Sequence, residues 1–115
     1  MPDINPFAST QVAYRINNPG VCVGFEQISI GAAVASLTLS VCSQTPRYAI
    51  MYLESNAVVI AARYLLTGAN PTTTVGMPKL DGSAWDIIST QDLIRFRITG
   101  VPAAATTTLN VEYYA

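Results

Sequence analysis

The chain of 115 residues contains no histidine, which narrows the chemistry available to it. Histidine is the most frequent general base in enzymes and the commonest metal ligand in proteins. Without it, a Ser-His-Asp triad and a His-ligated metal site are excluded. Two cysteines alone cannot supply the four ligands of a structural zinc site. The sequence therefore predicts a protein that is not an enzyme and that holds no metal or other cofactor.

Charged residues are also scarce. They make up 11% of the chain, against about 25% in ordinary soluble domains, and half of the residues are hydrophobic. A domain with so few charges would expose large apolar patches if it remained alone. Burial against other subunits removes that exposure, so the composition favours a homo-oligomer or a larger assembly. The alternative is a compact domain whose surface is rich in Ser, Thr and Asn.

The balance of charge argues against two classes of partner. Six basic and seven acidic residues give a net charge of −1, and no basic stripe is present to neutralise nucleic-acid phosphates. No polybasic segment suits an anionic membrane surface. The uncharged run 27–46 is rich in polar residues, and its apolar part is too short to cross a bilayer as a helix. We expect neither nucleic acid nor a membrane as a partner.

The two cysteines, Cys22 and Cys42, are flanked mainly by valines. Apolar neighbours favour buried, reduced thiols that behave as small hydrophobic side chains. A disulfide between the two cysteines is the alternative. The first residues lack a basic stretch followed by an apolar one, so a secretory signal is not expected.

The first 19 residues differ in composition from the rest. They are rich in proline and asparagine, which disfavours helix. Their apolar side chains indicate docking on the chain's own domain or on a neighbour, and the candidate interface residues among them are Phe7, Val12 and Tyr14. We divide the chain into an extended N-terminal arm, residues 1–19, and a β-sandwich domain, residues 20–115.

From Gly20 onwards, short segments alternate apolar and polar residues, which is typical of half-buried strands. The segments predicted as strands are 21–30, 36–41, 47–53, 57–66, 85–88, 93–98 and 109–114. The segment 57–66 is open between strand and helix, since it mixes good formers of both. Seven or eight short strands, with turns about every 8–12 residues, predict a single antiparallel β-sandwich or jelly-roll-like domain.

The segment 93–98 has the clearest amphipathic pattern. It would direct three residues to the core, Ile94, Phe96 and Ile98, and place Arg95 and Arg97 together on the other side. These arginines would either pair with carboxylates of a partner or face solvent, with Glu112 as an intramolecular partner. In the last strand, Tyr114 points away from the side that Tyr113 occupies. Arg95, Arg97 and Tyr114 are therefore further candidate interface residues.

Three aspartates close to Trp85 are the remaining candidates for chemistry. Paired carboxylates beside an aromatic platform are typical of glycosidases and of sugar-binding sites. Asp81 is better explained by a turn with Gly82, and Asp92 by the start of a strand. With Asp86 these residues also lack the spacing of a calcium loop. We expect no active site here.

The C-terminal part of the sequence resembles small virion structural proteins of tailed bacteriophages, of the head-decoration or cement type. The resemblance rests on the residues 48–54, Ala57-Val58, Arg63, the loop 68–78, Ile94-Arg95-Phe96, Ala104 and the final stretch 109–114. It implies a β-sandwich subunit that forms a dimer or trimer and stabilises a shell by bridging the major capsid protein or other virion proteins.

The location that this resemblance implies is the virion, assembled in the host cytoplasm. The resemblance does not distinguish a location in the head from one in the tail. A carbohydrate- or receptor-binding module of a phage tail or fibre is the alternative, with Trp85 and tyrosines lining an exposed groove near Asp81 and Asp86.

Overall fold

The computed structural model describes residues 20–102 and 105–115. These residues form eight strands, one α-helix and a short 3-10 helix. In chain order the elements are β1 (Cys22–Ile30), β2 (Ala35–Ser36), the 3-10 helix (Leu39–Val41), β3 (Tyr48–Ser55), β4 (Ala62–Leu65), β5 (Met77–Lys79), β6 (Ala84–Ile87), α1 (Thr90–Arg95), β7 (Arg97–Gly100) and β8 (Thr107–Tyr114). The predicted arm, residues 1–19, lies outside the described residues.

The strands form two four-stranded sheets. Sheet 1 has the order β1-β8-β3-β6, and sheet 2 has the order β2-β7-β4-β5. Every neighbouring pair is antiparallel. Each sheet has an apolar face, and the two sheets pack against each other because those faces must be removed from water. The structure confirms the predicted all-β sandwich.

Strands β3 and β8 form the centre of sheet 1, pairing from Tyr48↔Tyr114 to Ser55↔Thr107. Alternate side chains point into the sandwich, and six of them are fully buried: Ala49, Met51, Leu53, Leu109, Val111 and Tyr113. The sequence predicted this alternation in both strands, and the structure confirms it. Burying each large apolar side chain contributes about 1.5–3 kcal/mol to folding.

Sheet 1 is also apolar at one end of its other face. Tyr48, Ile50 and Tyr114 form a second buried cluster there. The rings of the two tyrosines stack, with centroids 5.0 Å apart. The first half of β3 is therefore buried on both faces, which explains its almost uninterrupted apolar sequence.

One carboxylate points into the sandwich. Glu26 lies on the inward face of β1, opposite Val111. It accepts hydrogen bonds from the Tyr113 hydroxyl and from the backbone N–H of Thr38. Burial, together with the bond to Glu26, raises the pKa of the Tyr113 hydroxyl. The carboxylate thereby joins β1, β8 and the segment that follows β2.

The predicted strand 36–41 is wrong beyond the end of β2. The N–H of Thr38 bonds to the Glu26 side chain instead of to a neighbouring strand. The chain then closes a 3-10 turn over Leu39–Val41. Val41, which the predicted strand included, is consequently exposed.

The predicted strand 93–98 is wrong in its first half, because α1 occupies that part and β7 begins only at Arg97. The Ser89 side chain caps the helix by accepting a hydrogen bond from the N–H of Asp92. The Asp92 carboxylate lies in the first turn, where it interacts favourably with the helix dipole. Asp92 therefore helps to start a helix and not a strand.

Helical spacing decides which residues of this segment are buried. Leu93 and Phe96, three residues apart, are both buried, whereas Ile94 is 50% exposed. Arg97 closes the helix, since its guanidinium donates to the carbonyl oxygens of Ile94 and Phe96 at 3.2 and 2.8 Å. The predicted burial of Phe96 is confirmed, and that of Ile94 is wrong.

The segment 57–66 is a loop followed by strand β4, so its strand is shorter than predicted.

Arg63 joins the loop after β4 to this strand by hydrogen bonds. Its guanidinium donates to the carbonyl oxygens of Thr73 and Gly76 at 3.1 and 2.9 Å. Gly76 has φ +130°, and a Cβ at this position would lie 3.1 Å from the Arg63 Cβ. Only glycine suits this close, left-handed position.

We predict that Phe96→Ala lowers the free energy of unfolding by about 3–5 kcal/mol, because it leaves a cavity in a closed core. Ile94→Ala, two residues away, is the matched control and should cost less than about 0.5 kcal/mol, since that side chain already faces solvent. Urea unfolding followed by tryptophan fluorescence measures both. Equal losses in the two variants would contradict the described boundary between α1 and β7.

Candidate protein-binding surface

Large apolar side chains remain exposed in several parts of the described chain. Those on the sheets or near α1 are separated from one another along the sequence, and they include Phe25, Tyr52, Met77 and Ile94. Another four sit on loops at one end of the sandwich. We call these four the loop-end patch: Val34, Val58, Val59 and Leu80.

The topology places the four residues of the loop-end patch at the same end of the sandwich. Strands β1 and β3 both run antiparallel to β8, so the loops that follow them leave sheet 1 at the same end. Val34 lies after β1, and Val58 and Val59 lie after β3. The β5–β6 turn, which carries Leu80, bonds to the end of β3 through the N–H of Gly82. Val58 and Val59 are strongly exposed, at 95% and 61%, whereas Val34 is exposed at 37%.

Backbone hydrogen bonds tie these loops to one another. Gly82 donates to the carbonyl of Leu53 at 2.8 Å, and Ala61 donates to Lys79 at 2.8 Å. Val101 donates to the carbonyl of Ala61 at 3.0 Å. Gly100, next to Val101 in the chain, bonds in turn to the loop after β1. The apolar side chains therefore project from loops that are already held in place.

A polar cleft of about 470 Å³ borders the loop end. It is lined by Tyr52, Glu54, Ser55, Asn56, Asp81, Thr106 and Thr108. The Asp81 carboxylate accepts from the N–H of Ser55 at 3.0 Å, and the Asn56 side chain accepts from the N–H of Thr106 at 3.0 Å. These bonds join the three segments that line the cleft. The predicted turn at Asp81-Gly82 is confirmed, with Gly82 at φ +82°.

Trp85 lies inside the sandwich. Its ring stacks on Tyr64, which stacks in turn on Phe96, with centroids 5.4 and 5.5 Å apart. The Lys79 ammonium lies 4.6 Å from the centre of the Trp85 ring. Burial lowers the pKa of Lys79 and raises that of Tyr64. Trp85 is therefore core, and it offers no exposed stacking platform.

The three aspartates near Trp85 are not brought together. Asp81 bonds within a turn, Asp92 belongs to the first turn of α1, and Asp86 lies on the opposite face of β6 from Trp85. In the described part of the chain, no group of three or more Asp, Glu, Cys or His side chains is placed to hold a metal ion. None of the helices in the described ranges has the length and apolarity needed to span a membrane.

Three of the predicted interface residues, Arg95, Arg97 and Tyr114, lie in the described part of the chain. Arg95 is exposed at the end of α1, and Arg97 uses its guanidinium to close that helix. Tyr114 is only 4% exposed. Its hydroxyl donates a hydrogen bond to Glu112, the residue that the sequence suggested as an intramolecular partner of the arginines. The other three candidates, Phe7, Val12 and Tyr14, lie outside the described residues.

The sequence did not single out the loop-end patch. Val58 and Val59 were read as part of a strand, because two β-branched residues next to an isoleucine are typical of one. The sequence also predicted a turn at Glu54-Ser55-Asn56, whereas β3 continues through Ser55 and the loop begins at Asn56.

Both cysteines are free thiols. Cys22 is exposed, so its predicted burial is wrong. Cys42 is half-buried against Gly24, whose Cβ would lie 3.1 Å from the Cys42 sulfur. Burial raises the pKa of the Cys42 thiol, and the charges of Glu26 and Cys22 raise it further.

Comparisons of the chain with protein-family models, curated proteins and solved structures find no match.

We predict that Cys22 reacts faster than Cys42 with a thiol reagent such as DTNB in the native protein. Cys42 is shielded and stays protonated to higher pH, so it provides less of the reactive thiolate. The measurement compares Cys42→Ser, which leaves Cys22, with Cys22→Ser. The two variants should react alike in denaturant, and equal rates in the native state would contradict the described burial of Cys42.

Proposed function

We propose that the chain is a non-enzymatic structural subunit that works by binding other protein subunits, in the manner of a capsid decoration or cement protein. The observation that carries this proposal is the loop-end patch. Val58 and Val59 are exposed on loops that are hydrogen-bonded in place, so their exposure is built into the fold. An exposed apolar patch bordered by polar groups is typical of protein-binding surfaces.

The geometry favours binding by burial of apolar surface. Removing apolar area from water contributes about 25 cal/mol per Å², before the costs of association. Loops that are already tied together lose little conformational freedom on binding, so less of that gain is offset. The polar cleft beside the patch supplies hydroxyl, amide and carboxylate groups for a polar rim.

The partners in this proposal are further copies of the chain and a major capsid protein or other virion protein. The scarcity of charge supports protein partners, because a surface without a basic stripe has little to offer a nucleic acid. The resemblance of residues 47–114 to phage decoration proteins supports a virion location, with assembly in the host cytoplasm. Oligomerisation as a dimer or trimer belongs to the same proposal.

We predict that the chain co-purifies with virus particles at a fixed copy number, and that the purified chain binds particles that lack it. Val58→Asp with Val59→Asp should weaken this binding about 100-fold, since each charge would be buried at the contact. Val75→Asp is the matched control, because Val75 is also an exposed valine but lies in the loop after β4. Co-sedimentation of labelled protein with particles measures the affinity.

Absence of the chain from particles would contradict the virion role. Binding by the double variant at wild-type affinity would contradict the role of the loop-end patch.

A carbohydrate- or receptor-binding module is the second candidate function, favoured by the cleft at Tyr52. Tyr52 exposes 43% of its surface beside Glu54, Asn56 and Asp81. An exposed aromatic ring next to carboxylate and amide groups suits a sugar, which stacks its apolar face and hydrogen-bonds at its edge. In this role Tyr52 takes the place that the sequence assigned to Trp85.

If this second role holds, a glycan array should show binding of the wild-type chain that Tyr52→Ala abolishes. Tyr52 is exposed, so the substitution should leave the unfolding midpoint nearly unchanged. Met77→Ala, also at an exposed position but on sheet 2, is the control and should bind normally. Absence of any glycan binding, or its persistence in Tyr52→Ala, would remove this candidate.

A further inference from the structure

The two sheets have four edge strands among the described residues, and they differ greatly in length. In sheet 2 the edges are β2, with two residues, and β5, with three residues including Pro78. In sheet 1 the edges are β6, with four residues, and β1, with nine. Short strands and proline prevent pairing with another chain. In the part of the chain that the structure describes, only β1 offers a long edge.

The register shows which backbone groups of β1 point outward. Val21 and Ala115 exchange both of their hydrogen bonds. In an antiparallel ladder the backbone groups of every second residue point to the same neighbouring strand. Starting from Ala115, the residues of β8 that point to β1 are therefore 113, 111, 109 and 107. They pair with Gly24, Glu26, Ile28 and Ile30, which follow the bulge in β1. The N–H and C=O groups of the residues between them, Phe25, Gln27 and Ser29, therefore point to the free edge.

Among residues 20–102 and 105–115, a neighbouring segment covers the start of this edge, and none covers its middle. The carbonyl of Val23 accepts a hydrogen bond from the N–H of Ser43. Beyond it, Phe25, Gln27 and Ser29 are exposed and uncharged. The one charged residue of the strand, Glu26, points into the sandwich. The charged side chains that normally guard a free edge are therefore missing from these three positions.

We propose that this edge pairs with the same edge of a second copy of the chain. The two β1 strands run antiparallel about a two-fold axis at Gln27, so that Phe25 lies opposite Ser29 of the second copy. Three residue pairs then exchange about six backbone hydrogen bonds. Sheet 1 continues across the interface as one eight-stranded antiparallel sheet.

A second copy fits this edge for two reasons. In antiparallel pairing about a two-fold axis, the outward N–H and C=O groups of one β1 strand bond to the same groups of the other. Each copy then contributes the same surface, as in an isologous dimer. The Gln27 side chain is also held across the outer face of the sheet, because its amide donates to the Asn110 side chain at 2.7 Å, so it leaves the edge accessible. The inference rests on the proposed assembly role and assigns its homotypic contact to β1.

The test uses opposite charges at the position of the axis. Gln27→Lys and Gln27→Glu each place two like charges side by side in the dimer. The dissociation constant of each variant alone should therefore be at least about tenfold higher than that of the wild type. An equimolar mixture of the two variants should recover the wild-type affinity, since lysine then faces glutamate. Sedimentation equilibrium of the full chain measures the dissociation constant.

Asn70→Lys and Asn70→Glu are the matched controls, because Asn70 is exposed on the loop after β4. They should leave the dimer unchanged, alone or mixed. Thermal unfolding should show that all four variants stay folded.

A wild-type chain that stays monomeric up to millimolar concentration would overturn the proposal. So would Gln27 variants that dimerise as the wild type does, or a mixture that fails to recover affinity. These outcomes are separable from failure of the proposed function. Loss of particle binding in the Val58/Val59 variant tests the loop-end patch, whereas the Gln27 variants test β1 alone.

Discussion

The pairing of β8 with both β1 and β3 is the constraint on which the structure depends. β8 is the last strand of the chain, and it holds together two strands from the first half. Its inward residues Leu109, Val111 and Tyr113 fill the centre of the core. Because the register of β8 determines which side chains of β1 and β3 face inward, a slip by one residue would turn Tyr113 and its neighbours to solvent.

The same pairing also explains the surface of the molecule. By aligning β1 and β3 in one direction, β8 sends the loops that follow them to a common end, where Val34 and Val58 are exposed. By pairing with β1 on one side only, it leaves that strand as a long edge. The features that we assign to binding are thus consequences of how the core is arranged, and both lie on backbone that is hydrogen-bonded to neighbouring strands or loops.

The sequence predicted the fold well where one face of a strand alternates with the other, as in β3 and β8. It failed where a local hydrogen bond competes with the sheet. The Ser89 cap turns the predicted strand at Leu93 into a helix, and the Glu26 carboxylate captures the N–H of Thr38. The candidate site was missed for a different reason. Exposure of Val58 depends on where the loops meet in space, and local composition carries no information about that.

The shortness of three edge strands has a consequence for the size of any assembly built through sheet pairing. A unit that can join through only one site forms a closed pair, whereas a unit with two such sites would polymerise into a fibre. Among the strands of the described ranges, β2 and β6 are short and β5 is interrupted by Pro78, which leaves one long edge for backbone pairing. Such a protein can be hydrophobic and carry few charges without growing into fibrils, because no further subunit can add by strand pairing once the β1 edge is occupied.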